Sequence, residues 1–341
     1  MAKKTWKPPL YVGIDLGGTL IKAGLVDDTG QPLLEEAVSV PTEAARGADI
    51  ALENMARAAE EAVRRAGVTW DDVRAVGLGS PGTMDIPAGM LLDPVNLKGP
   101  GWQNFPIRDR LAERLNKKVA FQNDANAAAY AEYWVGVGRD VHSLVLFTLG
   151  TGIGCGIVVE DMIIEGRHSH GAECGHIVIC MRQEGYPLPR RCGCGRYGCL
   201  EAYASATALE KRAQEGLDAG VQTRLREVWD STPEEDKARV IDELAKGGDE
   251  FCHRLMRETA YYLAVGATNL MHTIDPDIVV FTGGMTRSGP EFLEWIRADI
   301  RKLAFPTPAE NTAVVYGILG TNAGYIGAAG WARRQCEHGL L

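Results

Sequence analysis

Hydrophobic and polar residues follow a strand, strand, helix, strand order in the first part of the chain. Apolar runs over 10–14 and 23–26 lie on either side of the polar turn Asp15–Thr19, which is typical of a β-hairpin. Apolar residues recur at helical spacing over 49–66 and stop at Gly67, and a buried-strand pattern follows over 73–78. This order predicts an α/β domain.

The second half of the chain repeats that beginning. Leu144–Gly152 resembles Tyr11–Thr19, because in both an apolar strand enters a Gly/Thr turn and a second strand follows. The echo predicts a duplicated fold with one phosphate-facing turn per domain. Chance similarity is the alternative, since Gly-Thr turns are common.

The length of 341 residues exceeds the roughly 250 to 300 at which single cores stop growing, so we expect two domains with a cleft between them. The first would comprise 1–135 together with a final helix within 322–341, which packs back on it. The larger second domain would comprise 136–321. Within it, the charged, helix-prone region 209–249 is interpreted as a surface excursion without chemistry.

Composition and charge narrow the class of protein. The chain is 45% hydrophobic and 24% charged, as globular proteins are, and its net charge of −9 offers no basic surface for nucleic acid or anionic lipid. No apolar segment of signal-peptide type follows the basic start, and glycines interrupt the most apolar stretch, 143–159. We therefore expect a cytoplasmic protein without a membrane or nucleic-acid partner, whose eight cysteines are reduced or bound to metal.

Three glycine turns, each after an apolar strand, are candidates for binding phosphate groups. Glycine lets backbone N–H groups approach phosphate oxygens, and a nearby carboxylate can hold Mg²⁺. An ordinary hairpin would explain the first turn alone, but three such turns exceed what folding requires. No P-loop motif is present. The candidate phosphate-binding residues are Asp15, Gly17, Gly18, Thr19, Lys22, Gly150, Thr151, Gly152, Gly283 and Gly284.

The pair Asn123-Asp124 stands between a short strand over 119–121 and an alanine-rich helix. Asp124 has two interpretations here. It could be the N-cap of the helix, which stabilises by about 1 kcal/mol, or the base that accepts a proton from an attacking hydroxyl. The pattern alone does not separate the two.

Cysteines crowd the segment Cys192–Cys199, and His176 precedes them. Cys192, Cys194, Cys199 and His176 would satisfy a tetrahedral Zn²⁺ with no open position, which predicts a structural zinc site. Three reduced thiols in a turn are the alternative, and Cys180 could replace His176. The ion would bring Glu173 and Glu201 close together, where carboxylates can accept from sugar hydroxyls; both could instead be solvated surface charges.

These motifs together resemble the ROK family of sugar kinases, and the match runs through nearly the whole chain. The motifs are Asp15–Lys22, Gly79-Ser80-Pro81-Gly82, Pro94-Val95-Asn96-Leu97, Asn123-Asp124, Leu149–Gly156, Glu173–His176, Cys192–Glu201 and Gly283-Gly284. The resemblance implies an actin-like, ribonuclease-H-like fold in which two α/β domains flank a cleft that holds the sugar.

The same resemblance implies roles for individual residues. Asp124 would be the catalytic base, and His176 would bind zinc through one ring nitrogen and a sugar hydroxyl through the other. Mg²⁺ would bridge the phosphates of ATP close to Asp15. The sugar would be held by Gly82, Asn96, Asn123, Asp124, Glu173, His176 and Glu201.

Glucose is the first choice of substrate, with glucose 6-phosphate as product. N-acetylmannosamine, N-acetylglucosamine, fructose and allose stay alternatives, as does polyphosphate in place of ATP. The family expectation is a homodimer.

Two rival functions come from other classes. The family includes sugar-responsive transcriptional repressors, but these carry a helix-turn-helix domain before the Asp-x-Gly-Gly-Thr loop, and the segment before Asp15 is too short for one. A chaperone-type ATPase acting on a protein would have no need of the cysteine segment and its flanking carboxylates. We therefore expect an ATP-dependent hexose kinase.

Overall fold

A computed structural model describes residues 6–94, 96–182, 184 and 188–341, so Val95 of the predicted Pro94–Leu97 motif lies outside the described residues. The strands are β1 Leu10–Leu16, β2 Leu20–Val26, β3 Val38–Pro41, β4 Val73–Ser80, β5 Thr83–Asp85, β6 Met90–Asp93, β7 Val119–Asn123, β8 Ser143–Leu149, β9 Ile153–Val159, β10 Met162–Ile163, β11 Ile278–Thr282 and β12 Ala313–Tyr316.

Helices and strands together form a mixed α/β fold, in which α4 to α8 follow one another without an intervening strand. They are α1 Ala48–Ala66, α2 Ile107–Leu115, α3 Asp124–Trp134, α4 Glu201–Ala204, α5 Ala206–Asp218, α6 Leu225–Val228, α7 Lys237–Lys246, α8 Glu250–Ile274, α9 Pro290–Leu303, α10 Pro306–Asn311 and α11 Ala323–Glu337. Short 3₁₀ turns lie at Ala44–Arg46, Trp70–Asp72, Cys174–His176, Trp229–Ser231, Glu234–Asp236, Gly284–Ser288 and Gly320–Asn322.

The chain forms two compact units. The first unit comprises Met1–Val141, Gly156–Ala172 and Ile318–Leu341, and the second comprises His142–Cys155 and Glu173–Gly317. The units are groups of residues that pack together, which does not test whether each folds alone. The predicted domains, 1–135 with 322–341 and 136–321, therefore remain a prediction.

The first unit is built on a sheet of order β3-β2-β1-β4-β7. The predicted hairpin is confirmed, since β1 and β2 pair antiparallel, whereas β1, β4 and β7 run parallel. Alternate residues of β1, from Leu10 to Leu16, enter a buried apolar cluster with α1 and α2. Helix α1 ends as predicted at Gly67, whose φ of 69° gives the left-handed cap that glycine favours.

Helix α11 packs with its backbone against the same sheet, as the sequence predicted for the last helix. A Cβ on Gly13 of β1 would lie 1.8 Å from the carbonyl oxygen of Tyr325, and one on Gly77 of β4 would lie 1.8 Å from that of Ala328. Gly327 of α11 approaches α3 as closely, because a Cβ there would lie 1.7 Å from the carbonyl oxygen of Ala127. The C-terminal helix is therefore an integral layer of the first unit.

The second sheet has the order β10-β9-β8-β11-β12, which repeats the order of the first. Strand β11 is parallel to β8 and β12, while β9 and β10 are antiparallel. Phe147 and Phe281 lie opposite each other on β8 and β11, with stacked rings 5.5 Å apart. The repeated strand order is what duplication of one α/β unit produces.

The region 209–249 is more than a surface excursion. It buries Leu225, Trp229 and Ile241, and the Trp229 indole N–H donates to Gln214 Oε1 of α5 at 2.6 Å. The charge of this region does not exclude a buried face, because amphipathic helices carry charge on one face and core residues on the other.

No helix within the described part of the chain combines the length and apolar character that a bilayer span needs. The apolar stretch 143–159 forms β8 and β9 around a turn, as predicted.

Candidate active site

The ends of three parallel strands bring two carboxylates together in the first unit. The register pairs Asp15 of β1 with Gly79 of β4, and Gly79 with Gln122 of β7. Asp124 follows directly after β7 as the first residue of α3. A Cβ on Gly79 would lie 3.9 Å from the Asp124 Cα, so only the small glycine stands between β1 and the start of α3.

This arrangement raises the pKa of Asp15, so its carboxyl group binds a proton more readily than an exposed one does. Burial first, and then the negative charge of Asp124, raises the pKa of Asp15 to about 7, while the Lys22 ammonium opposes the rise. Helix α11 closes over the carboxylate, since a Cβ on Gly324 would lie 2.3 Å from Asp15 Oδ2. Two carboxylates in so small a space provide a site where a cation or a proton is stabilised.

Asn123, not Asp124, caps helix α3. Its backbone is extended, and its Oδ1 accepts from the N–H groups of Ala125 and Asn126 at 2.9 and 3.3 Å. Asp124 already has a helical position and accepts from Ala125 N–H at 2.8 Å. The N-cap interpretation of Asp124 is therefore wrong, because the chain turns into the helix one residue earlier. The side-chain Oδ1 of Asn123 is occupied by this cap. The side-chain NH₂ of Asn123 is therefore the part left for a ligand.

The glycine turn of the first unit is tight and braced. Gly17 N–H donates to the Leu20 carbonyl at 3.0 Å, which closes the turn between β1 and β2. Thr42, which is buried, donates from Oγ1 to the Gly17 carbonyl at 2.7 Å and from N–H to the Thr19 carbonyl at 2.8 Å. Gly18 and Thr19 are exposed. Lys22 on β2 donates to the Thr321 carbonyl at 3.1 Å.

Two further residues expected to hold the sugar are placed next to this turn. Asn96 is exposed, and its carbonyl oxygen would lie 3.0 Å from a Cβ on Gly18. Gly82 has a φ of +101°, and a Cβ there would lie 2.6 Å from the Pro94 Cα. Only glycine meets both conditions, so the backbone of Gly82 is fixed against the segment that leads to Asn96.

The second unit brings its two glycine turns side by side. Gly150 N–H donates to the Gly152 carbonyl at 3.0 Å, and Ala206 N–H donates to the Gly150 carbonyl at 2.9 Å. Gly283 has a φ of +97°, and a Cβ there would lie 2.5 Å from the carbonyl oxygen of Leu149. Cβ atoms on Gly150 and Gly284 would meet open space, so both backbones are accessible to a ligand.

The predicted cysteine and histidine residues converge in the second unit. One donor atom from each of His176, Cys192, Cys194 and Cys199 lies within 4.8 Å of the others. His176 presents Nδ1 to Cys192 Sγ at 3.6 Å, and Cys194 and Cys199 have their sulfurs 3.8 Å apart. Cys180 is exposed and does not belong to this group, so the geometry favours His176 as the fourth donor.

Of the two carboxylates expected near this cluster, Glu201 contacts it through its side chain. Its Oε2 accepts from Ile153 N–H at 3.0 Å, and its Oε1 accepts from the Cys192 thiol at 3.3 Å. Glu173 is exposed at the start of the 3₁₀ turn Cys174–His176. Burial first raises the pKa of the Cys192 thiol, and the Glu201 carboxylate adds to the rise, whereas a backbone hydrogen bond from Cys194 opposes it.

Sequence reasoning missed three residues that brace the first unit's carboxylates and turn. Thr42 supports the glycine turn, and Gln122 and Glu165 form a hydrogen bond of 2.7 Å behind Asn123. No local pattern marks any of them, because each acts on residues that are distant in sequence or through a buried side chain.

Comparison with known proteins identifies the family. Residues 11–335 match the ROK family, and the chain belongs to it. It is 34% identical to a glucokinase of Thermotoga maritima over 93% of this chain and 95% of that protein.

Solved structures agree with this assignment. The ROK hexokinase of Thermus thermophilus is 34% identical with a TM-score of 0.80, covering 96% of this chain and 99% of that one. A ROK family glucokinase from Streptomyces griseus in complex with glucose and AMPPNP is 32% identical with a TM-score of 0.76, covering 95% of this chain and 99% of that one.

Proposed function

We propose that this protein is an ATP-dependent hexose kinase that converts glucose to glucose 6-phosphate. The observation that carries the proposal is the pairing of Asp15 and Asp124 at the ends of parallel strands, beside the Gly17–Thr19 turn. The names of the relatives support glucose and ATP, since the Thermotoga protein is a glucokinase and the Streptomyces structure holds glucose and an ATP analogue. The repeated sheet order also supports the ribonuclease-H-like, actin-like class of fold.

In the proposed reaction Asp124 accepts the proton of the sugar hydroxyl. The hydroxyl oxygen then bonds to the γ-phosphorus of ATP, and the bond from that phosphorus to the β,γ-bridging oxygen breaks and leaves ADP. Asp124 suits this role because its first-turn position fixes the carboxylate by the bond from Ala125 N–H. The loss expected on removing such a base is about 10²- to 10⁴-fold in rate.

Asp15 is the residue proposed to hold Mg²⁺. Burial and the Asp124 charge raise the pKa of Asp15 to about 7 and disfavour its bare anion, so a cation bound beside it would relieve that cost. Magnesium prefers carboxylate oxygens and phosphate as ligands, and when bound it neutralises charge on the phosphates. The residues present therefore fit the ion.

The nucleotide is proposed to contact the exposed glycine turns. In the first unit these contacts are Gly17, Gly18 and Thr19, with Lys22 nearby. In the second unit they are the adjacent turns Gly150–Gly152 and Gly283–Gly284, where Gly150 and Gly284 face open space. The N–H groups of Gly17 and Gly150 already donate within their own turns, so phosphate oxygens would bind the N–H groups of other residues in these turns, with no glycine side chain in the way.

The cysteine cluster fits a structural Zn²⁺. Three thiols and one imidazole are donors that this ion prefers, and one donor atom of each lies within 4.8 Å of the others. Cys192 would bind the metal as a thiolate, which has no proton to give to Glu201. Glu201 Oε1 would then be available to a sugar hydroxyl.

The sugar contacts are proposed for each unit from its own geometry. In the first unit they are Asp124, the Asn123 amide NH₂, Asn96 and the Gly82 backbone. In the second unit they are Glu173, Glu201 and His176, whose Nδ1 faces Cys192 and whose Nε2 would face the sugar. A homodimer remains a prediction that sedimentation of the purified protein would check.

Hexose-stimulated formation of ADP tests the function. We expect glucose to stimulate it strongly, with N-acetylglucosamine, N-acetylmannosamine, fructose and allose as the comparison set and ATP against polyphosphate as donor. Asp124→Asn protein, purified in the same way, is the control that measures ADP formation by contaminating kinases. ADP formation that is indifferent to every added sugar would refute the proposal, and preference for another sugar or donor would correct its substrate.

A further inference from the structure

Behind the proposed base lies a buried amide, Gln122, near the end of strand β7. Its side chain is fully buried. Its Nε2 donates to Glu165 Oε1 at 2.7 Å, and its Oε1 accepts from Asn123 N–H at 2.8 Å and from Asn126 Nδ2 at 3.1 Å. One side chain therefore connects Glu165 to both sides of Asp124.

The orientation of this amide is dictated by its neighbours. A backbone N–H can only donate, so the Gln122 group that faces Asn123 must be the carbonyl oxygen. The NH₂ group must then face the opposite way, and there it needs an acceptor. Glu165 supplies that acceptor from the segment after β10.

Glu165 is half-buried, and two neighbours partly offset the cost of burying its carboxylate. Burial raises the pKa of Glu165, whereas the Gln122 hydrogen bond and the Arg334 guanidinium oppose the rise. Arg334 is itself bound to Asp161 at 3.0 Å. A charged acceptor makes the hydrogen bond from Gln122 stronger than a neutral one would.

We infer that Glu165, acting through Gln122, is a positioning residue for Asp124. Glu165 fixes the amide of Gln122, and Gln122 fixes the backbone immediately before Asp124 and the Asn126 side chain in the turn after it. This inference rests on the proposed role of Asp124 as base. Misplacing a catalytic group by about 1 Å can cost 10²-fold in rate, so the contacts behind Asp124 bear directly on turnover.

An exchange of the two groups tests the inference. Gln122→Glu sets two carboxylates against each other, and we expect kcat to fall about 10- to 100-fold while the KM for glucose changes less than about threefold. The double variant Gln122→Glu with Glu165→Gln restores a donor opposite an acceptor, and the carboxylate at position 122 still accepts from Asn123 N–H. We expect its kcat to return to within about threefold of wild type.

Glu165→Ala provides a second variant if Gln122→Glu is not obtained folded. It removes the acceptor without adding charge, and we expect about a tenfold loss of kcat. Tyr130→Phe is the matched control, because it removes a buried hydrogen bond of 2.8 Å to Asp161 from the same helix without touching Asp124. We expect it to lower Tm and leave kcat unchanged.

The outcomes separate this inference from the proposed function. Active Asp124→Asn protein would refute the base and the inference with it. If Asp124→Asn is inactive, three results would overturn positioning alone: unchanged kcat in folded Gln122→Glu and Glu165→Ala, a folded double variant that is not restored, or an equal loss of kcat in Tyr130→Phe.

Discussion

The two units use the same strand-turn-strand motif with a different residue at the end of the first strand. Asp15 in the first unit corresponds to Thr148 in the second, since Leu144–Gly152 aligns with Tyr11–Thr19. Thr148 Oγ1 accepts from Gly154 N–H at 3.1 Å and so ties its own hairpin together. The Asp15 carboxylate differs from this hydroxyl in being electrostatically unfavourable as an anion. Burial and the charge of Asp124 raise its pKa to about 7.

This difference shows how one turn serves two purposes. A neutral hydroxyl that is satisfied within its hairpin makes the second turn a rigid backbone surface. In the first unit the carboxylates of Asp15 and Asp124 repel each other. This repulsion favours the binding of a cation or a proton beside the first turn. Chemistry is expected at the first turn and binding at the second.

The largest effect is expected from Asp124→Asn. If the first unit performs the chemistry, kcat should fall about 10²- to 10⁴-fold because the base is lost. Glucose should still bind. Calorimetric titration of glucose and a coupled ADP assay measure the two quantities. Glu250→Gln is the control, since it also removes an acid from the first turn of a helix, α8. Retained turnover in Asp124→Asn would end the distinction between the units.

Cys199→Ser should have the next largest effect, and on the second unit alone. We expect zinc content to fall from about one ion per chain, Tm to drop by several degrees and the KM for glucose to rise. Structural zinc contributes directly to folding free energy. Cys180→Ser should keep its zinc, because Cys180 lies outside the cluster. A wild-type protein that is fully active without bound metal would contradict the site.

Asp15→Asn should stabilise the protein in a pH-dependent way. The carboxyl has a pKa of 3.8 when unfolded and about 7 when folded, so its favourable contribution is complete below about pH 4 and is lost as the pH rises to 7. Asn cannot ionise, so the stability of the Asp15→Asn variant does not fall in this pH range for that reason. Without nucleotide or Mg²⁺ we expect it to exceed wild type at pH 8 by about 1 to 2 kcal/mol, or roughly 2 to 8 °C in Tm.

The gain of Asp15→Asn should vanish near pH 4 and come with reduced kcat. Thr148→Val is its counterpart in the second unit, where the loss of one hydrogen bond should cost about 1 kcal/mol at every pH. Equal pH dependence in the two variants would show that the two strand ends do not differ as described.

The smallest effect separates capping from catalysis within the first unit. Asn123→Ala should lower stability by about 1 kcal/mol through loss of the cap, and Asn123→Ser should restore most of it. Thermal melts of these variants beside Asp124→Asn check the assignment. A larger loss of stability in Asp124→Asn than in Asn123→Ala would return the cap to Asp124.

The elements and the cysteine cluster were readable from the sequence because their signals are local. The apolar runs ended close to where the strands β1, β4 and β8 end, and the spacing of Cys192, Cys194 and Cys199 identified three members of one cluster. Glycine inside a strand also signals close approach of another backbone. Gly13 and Gly77 are such glycines, and the structure places α11 against them.

Other features depend on geometry that residue types do not encode. Asn and Asp are both favoured caps, so only the extended backbone of Asn123 decides between it and Asp124. The Gln122 to Glu165 bond joins residues from separate elements and leaves no periodic trace. The raised pKa of Asp15 arises from burial under α11 and from Asp124, which adjoin it only after folding.

Helix α11 also has a consequence for how the protein is made. Its backbone fills spaces that Gly13 and Gly77 leave open in the first sheet, yet it leaves the ribosome long after the strands that it covers. The strands that carry Asp15 and lead to Asp124 must therefore wait for 323–337 to be synthesised before their core is complete. Most of the second unit, over 173–317, is synthesised before that helix, so the unit whose strands are made first receives its last layer only after the other unit has left the ribosome.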